Sequence, residues 1–172
     1  MKVFQSRPFL IIVVPVICLL ALWLSVVVFA GQSKKATAIN AKDRAEVEKT
    51  IHSVIGWAVE KDFDLFFSSI GNDSTYISVT PFQVKFGLKD VVRDTGFWAD
   101  PGFKGISHEL HDLRIHFSPS GDVAWYYCIL DDMNELNGKP ANWMNARWTG
   151  VVAKQDGHWR VVQQHISFAG RR

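Results

Sequence analysis

Cysteine is scarce in this chain. There are two, and Cys18 lies in an apolar N-terminal run, so Cys128 is the one thiol left to the globular part. An intrachain disulfide is thereby excluded from that part, and with it a fold stapled by bridges. Charge of one sign is lacking too: 19 Lys and Arg against 17 Asp and Glu leave a formal net charge of +2. No basic stripe or acidic tail recommends a nucleic acid or polyanion as partner. Also missing are a glycine-rich phosphate loop, a serine nucleophile elbow and zinc-type Cys/His spacing, so no signature supports the chemistries they carry. Internal repeats and low-complexity segments are absent as well. Hydrophobic residues, by contrast, make up 48% of the 172 and aromatic ones 13%, which suffices for one domain with a good core and leaves no room for a second.

The N-terminus reads as an export signal. Lys2 and Arg7 precede an uncharged run from Pro8 to Ala30, and the chain turns polar at Gly31. The run exceeds the roughly 7–15 residues of a signal-peptide core and reaches the roughly 20 needed to span a bilayer. Yet the small residues of Val28-Phe-Ala30, just before Gly31, suit signal peptidase. For residues 1–30 a cleaved signal peptide and a retained transmembrane anchor both stay open. In either case Lys2 and Arg7 hold the start of the chain in the cytoplasm, so the domain is expected in the periplasm or outside the cell, touching membrane only through this segment. A lipoprotein site at Cys18 is excluded by its mid-segment position behind Ile17. Small polar residues from 31 to 42 read as a linker.

From Asp43 the pattern becomes that of a folded domain, through residue 169. Asp43 is placed to cap a helix with Val47, Ile51, Val54, Ile55, Ala58 and Val59 on one side. A short helix over Asp62–Phe67 and a strand over Thr75–Thr80 follow, then another short helix over Gly87–Arg93 and a turn-rich connector from Thr95 to Pro101. The rest reads as strand, over Gly105–Phe117, Val123–Asp132, Asn142–Lys154 and Trp159–Ser167, with turns at Pro119–Asp122, Asn137–Pro140 and Asp156-Gly157. Helices followed by consecutive antiparallel strands make an α+β domain whose sheet curls around the first helix.

The closing hairpin is the most telling stretch. Strict alternation puts Trp143, Asn145, Arg147, Thr149 and Val151 on one face with Trp159, Val161, Gln163, His165 and Ser167. A face mixing Arg, Gln, His and Trp suits a pocket wall better than a plain core. Arg147, Gln163 and His165 would then converge on an anion or carbonyl, with Arg147 either anchoring a ligand or pairing internally with Asp64 or Glu60. Trp57, Tyr76, Trp98, Trp125, Tyr127 and Trp143 would line the pocket for an apolar or ring-bearing ligand. His108, His111 and His116 do not converge as metal ligands under strict alternation, since His111 faces away from the other two. In the run around it Cys128 reads as a small buried hydrophobe before a nucleophile.

Several of these motifs together resemble a known family. The helices, the Gly87 helix start, Gly121-Asp-Val-Ala124-Trp, Arg147-Trp-Thr149, Asp156-Gly157-His158-Trp159-Arg160 and His165-Ile-Ser167 are similar to the SnoaL-like branch of the nuclear transport factor 2-like superfamily. The closing pattern is closest in flavour to the association domain of calcium/calmodulin-dependent kinase. The resemblance covers about Asp43 to Ala169. It implies a conical α+β barrel with a deep cavity between curved sheet and first helix, and a homodimer formed through the sheet. Isomerases, cyclases, dehydratases, hydrolases and non-enzymes share that fold, so the fold leaves function open. Ketosteroid isomerase, a superfamily relative, uses a carboxylate base and a neutral acid, for which Asp64, Asp112, Asp131, Asp132, Tyr76 and Tyr127 are the candidates here. The expectation is an exported domain with a pocket for a small organic or hydrophobic ligand and no cofactor. The alternatives are a cofactor-independent isomerase, cyclase or hydratase acting on a carbonyl substrate by proton transfer through His165 or a carboxylate, and an oligomerisation module.

Overall fold

In the computed structural model residues 41–170 are described, so the expected signal or anchor of residues 1–30, and the linker up to residue 40, lie outside the described residues. Helix α1 occupies residues 41–60. Its buried side is Val47, Ile51, Val54, Trp57 and Ala58, each at most 8% exposed, the spacing of a helix lying on an apolar surface. Val59, expected on that side, points outward, and Trp57 takes its place one turn after Val54. Because residues 41 and 42 are already helical, Asp43 is inside the helix rather than its cap. Its carboxylate instead accepts the Trp159 indole N–H at 3.1 Å and pairs with Lys154 Nζ at 2.7 Å, which ties α1 to the closing hairpin. Helix α2 (Phe63–Ser69) is capped by Asp62, whose side chain accepts from the Leu65 amide at 2.9 Å.

The strands are β1 (Ile77–Val79), β2 (Val84–Phe86), β3 (Phe103–Phe117), β4 (Val123–Leu136), β5 (Lys139–Pro140), β6 (Trp143–Gln155) and β7 (His158–Ser167). They form one strongly curled sheet in the order β2-β1-β7-β6-β4-β3, with β5 paired to β4. The fold is α+β as expected, with two refinements. The β1–β7 pair is parallel while the other pairs are antiparallel, and the short strand β2 has no counterpart in the sequence reading. Helix α3 (Gly87–Val92) sits where expected, but the connector from Thr95 is itself helical as α4 (Thr95–Ala99). Asp156 and Gly157, both at positive φ (52° and 81°), make the tight turn between β6 and β7, the geometry an Asp-Gly pair favours because it matches the twist of the strands.

The inner face of the sheet carries Ala124, Tyr126, Cys128 and Leu130 from β4, Ala146, Trp148 and Val152 from β6, and Trp159, Val161 and Ile166 from β7, all buried. Helix α1 lies so close that a Cβ at Gly105 would come 2.6 Å from the Ala58 carbonyl carbon. Four bulges interrupt the alternation of faces, the first at Ile106 of β3, the extra residue between Gly105 and Ser107. In β3 Asp112 (φ 53°) and Leu113 oppose one residue of β4, in β6 Met144 and Asn145 (φ 54°) do the same, and in β7 Val162 is the extra residue between Val161 and Gln163. An extra residue on one strand reverses which face every later side chain takes. Strict alternation along the closing hairpin therefore fails at Asn145 and again at Val162.

Candidate functional site

A cavity of about 360 Å³ opens between α1, α2, the α3–α4 segment and the inner sheet face. Eight of its lining side chains carry rings. Trp57 and Trp98 meet edge to face at 5.5 Å, Phe66 meets Trp98 at 5.3 Å, and Phe97 tilts onto Phe103 at 5.3 Å. At the far end Phe82 contacts Trp143, with centroids 6.0 Å apart. Such walls suit an apolar or ring-bearing guest of drug-like size.

Three polar groups interrupt the apolar wall. In the first, the Gln164 amide closes a buried network: its Nε2 donates to Tyr76 Oη at 2.9 Å and Ser78 Oγ at 3.1 Å, and its Oε1 accepts the Trp148 indole N–H at 3.1 Å. Burial pushes the Tyr76 phenol up to about 12, so it stays protonated. The second is Lys85, buried at 7% exposure, whose ammonium pairs with Asp94 and lies 4.7 Å from the centroid of the Trp98 ring. Gln83 Nε2 adds a bond to the same carboxylate at 3.2 Å. The third is Asp132 on β4, beside Asn134, whose Nδ2 donates to Asp132 Oδ2 at 2.8 Å. Burial raises the Asp132 carboxyl above the ordinary carboxylate value, and the Asn134 bond only partly opposes it. Among the described residues no ion pair involves Asp132.

Of the residues singled out from sequence, Trp57, Tyr76, Trp98 and Trp143 line this cavity. Arg147, Gln163, His165, Trp125 and Tyr127 do not, which corrects the expected pocket wall. The bulges leave Ala146 and Trp148, and then Gln164 and Ile166, facing inward, so Arg147 and His165 point to solvent from the convex face and Gln163 lies half-buried on it. Arg147, Gln163 and His165 do share a face, but it is the outer one. Two rows cross that face through the strand pairings: His116, Trp125, Val151, Gln163, Ile77 and Phe86 in one, Arg114, Tyr127, Thr149, His165, Val79 and Val84 in the other. Trp125 is 48% exposed and Phe86 63%. Neither Asp64 nor Glu60 pairs with Arg147.

The histidines are also rearranged. His108 turns inward against α1, with its Nε2 3.1 Å from His52 Nδ1, while His116 joins His111 on the outer face. Among the described residues no group of three or more His, Cys, Asp or Glu side chains is placed to hold a metal. Cys128 is fully buried and its thiol is pushed up to about 12 by burial, which makes it a packing residue. Lys85, Asp94, Gln164, Asn134 and the phenylalanines of the cavity were not anticipated. For Gln164 the sequence carried no signal, because the extra residue that turns it inward is Val162, an ordinary strand residue.

The family model described as SnoaL-like domain matches residues 47–170. No curated protein sequence matches the chain. Among solved structures, a nuclear transport factor 2-like superfamily protein from Salmonella enterica superposes with a TM-score of 0.65 at 18% identity, covering 76% of this chain and 94% of that one. A putative scytalone dehydratase from Novosphingobium aromaticivorans gives a TM-score of 0.65 at 14% identity, over 76% and 86% of the two chains. The association domain of C. elegans CaMKII gives 0.56 at 14%, over 75% and 98%. At these identities the likeness is one of fold.

Proposed function

The chain belongs to the SnoaL-like domain family, and from that premise we propose that its cavity holds a small, ring-bearing organic ligand in an exported domain that assembles as a homodimer. The observation that carries this reading is the aromatic wall around a cavity of about 360 Å³ with a few placed polar groups, the composition of a ligand site. The contacts differ from those the closing hairpin suggested. Arg147 faces solvent, so the polar anchors offered to a guest are Asp132, Asn134 and the Tyr76–Gln164 network. Native mass spectrometry of the full chain isolated from its own source, followed by denaturation, is expected to release a ring-bearing small molecule, and Trp143→Ala is expected to lose it. An empty protein whose tryptophan fluorescence ignores apolar ring compounds would overturn the proposal.

Proton transfer on a carbonyl substrate is a second reading, favoured by the burial that raises the Asp132 carboxyl. It assigns the base to Asp132 and not to His165, which lies outside the cavity. Exchange of solvent deuterium into a ring ketone, abolished in Asp132→Asn, would select this reading over binding alone. Assembly as a homodimer is assigned to the convex face, where Trp125, Tyr127, Val84 and Phe86 are exposed.

A further inference from the structure

The cavity repeats one arrangement twice. On one side the Asp94 carboxylate and the Trp98 ring hold the ammonium of Lys85 between them, the ion pair and the 4.7 Å contact with the ring centroid together compensating a buried charge. On the other side Asp132 on β4 is paired in register with Trp143 on β6, and both line the cavity. Here a carboxylate and an indole again stand side by side, but no ammonium from the described side chains joins them. The histidine in register with Asp132 and the lysine that lines the same cavity are already engaged. His108, its cross-strand neighbour on β3, is turned to His52 at 3.1 Å, and Lys85 is committed to Asp94. Among the described residues only the neutral amide of Asn134 is hydrogen-bonded to the Asp132 carboxylate.

We propose that the cavity takes a small ring-bearing cation, a primary or quaternary ammonium, with Asp132 as its counter-ion and Trp143 as the ring against which the ammonium rests. This rests on the cavity being a ligand site and names the class of ligand. It reverses the sign expected from Arg147. An anionic guest would find its one cation, Lys85, held by a carboxylate and a ring, and would face Asp132 as a like charge. An ammonium guest supplies what Asp132 lacks, and the surrounding rings favour a cation over a neutral group of the same shape. The raised carboxyl of Asp132 fits a group whose compensating charge comes from outside the chain.

Three probes that share a phenylethyl group and differ in charge test it: phenethyltrimethylammonium, its neutral isostere (3,3-dimethylbutyl)benzene, and the anion 4-phenylbutyrate, each titrated into the full chain by tryptophan fluorescence. The ammonium is expected to bind at least about tenfold more tightly than the isostere, with the carboxylate weakest. In Asp132→Asn the preference for the cation is expected to disappear, while the neutral probe binds within about twofold of wild type, a control that the cavity is intact. Neutral or anionic probes binding as well as the cation, or a preference that survives Asp132→Asn, would overturn the charge assignment and leave the ligand site standing. No binding by any of the three would overturn both.

Discussion

Asp132 sits where burial works against it, and that has a consequence for stability that needs no ligand to see. Its carboxyl is raised in the folded chain above the ordinary value of 3.8, so just above that pH the folded state holds a proton that the unfolded state has already released. Stability is therefore fully present at acid pH and falls as pH rises from near 3.8 through the folded value. Asp132→Asn, which keeps the shape and the Asn134 neighbour, is expected to be more stable than wild type at neutral pH and to lose that acid-side slope. Urea midpoints measured across this range check it, and a variant no more stable than wild type would contradict it. A residue that costs stability in the empty protein is common at sites kept for function. At this scale the sequence was partly legible: Trp57, Tyr76, Trp98 and Trp143 could be picked out as cavity rings. Asp132 stood only as one carboxyl among several, since neither burial nor the absence of an ionic partner can be read along a chain.

Between elements, the contact of α1 with β3 decides how the cavity is roofed. Gly105 admits the backbone of Ala58, and nearly two turns earlier on α1 His52 meets His108 at 3.1 Å. Burial, and secondarily the charge of His52, lowers the His108 value below 6.5. The unfolded chain then takes up a proton before the folded chain does, so the stability present above about pH 6.5 declines as pH falls through that value toward the folded one. The urea midpoint is expected to drop between about pH 7.5 and about pH 5, and to drop less in His108→Gln, a neutral side chain of similar reach. An equal drop in both proteins would show that other groups are responsible. This acid-side loss is opposite in sign to the effect of Asp132, so the two single variants separate them. Helix α1, the short helices α2 and α3 and the long strands were legible as elements, because amphipathic spacing and turn residues act locally. The bulges at Ile106, Asp112, Asn145 and Val162 escape a rule of strict alternation, although Asp112 and Asn145 are of the residue types that tolerate positive φ, and each one exchanges the inner and outer faces.

For the whole molecule, the convex face is the surface that a second copy would cover. Trp125 stacks on His116 with ring centroids 6.0 Å apart and stays half exposed, and Tyr127 lies one pair further along the sheet. Sedimentation velocity of the full chain is expected to give a dimer, converted to monomer by Trp125→Glu without change in the circular dichroism spectrum, because a buried charge lacking a partner is costly at an interface. A wild-type monomer at micromolar concentration would refute this assembly. By itself the sequence determined the class of the fold, since amphipathic periodicity, Asp-Gly turns and an apolar fraction sufficient for one core act through short-range rules that any copy of these residues obeys. Arg147, Gln163 and His165 share one face because Val162 is an extra residue: the register at Gln155–His158 carried on unbroken would set Arg147 opposite Ile166. Only the tertiary structure decided which face that is, because one extra residue in a strand reverses inside and outside while leaving composition and nearly all of the pattern unchanged. The same cause moved the pocket chemistry from a guanidinium on the hairpin to a carboxylate on the neighbouring strand.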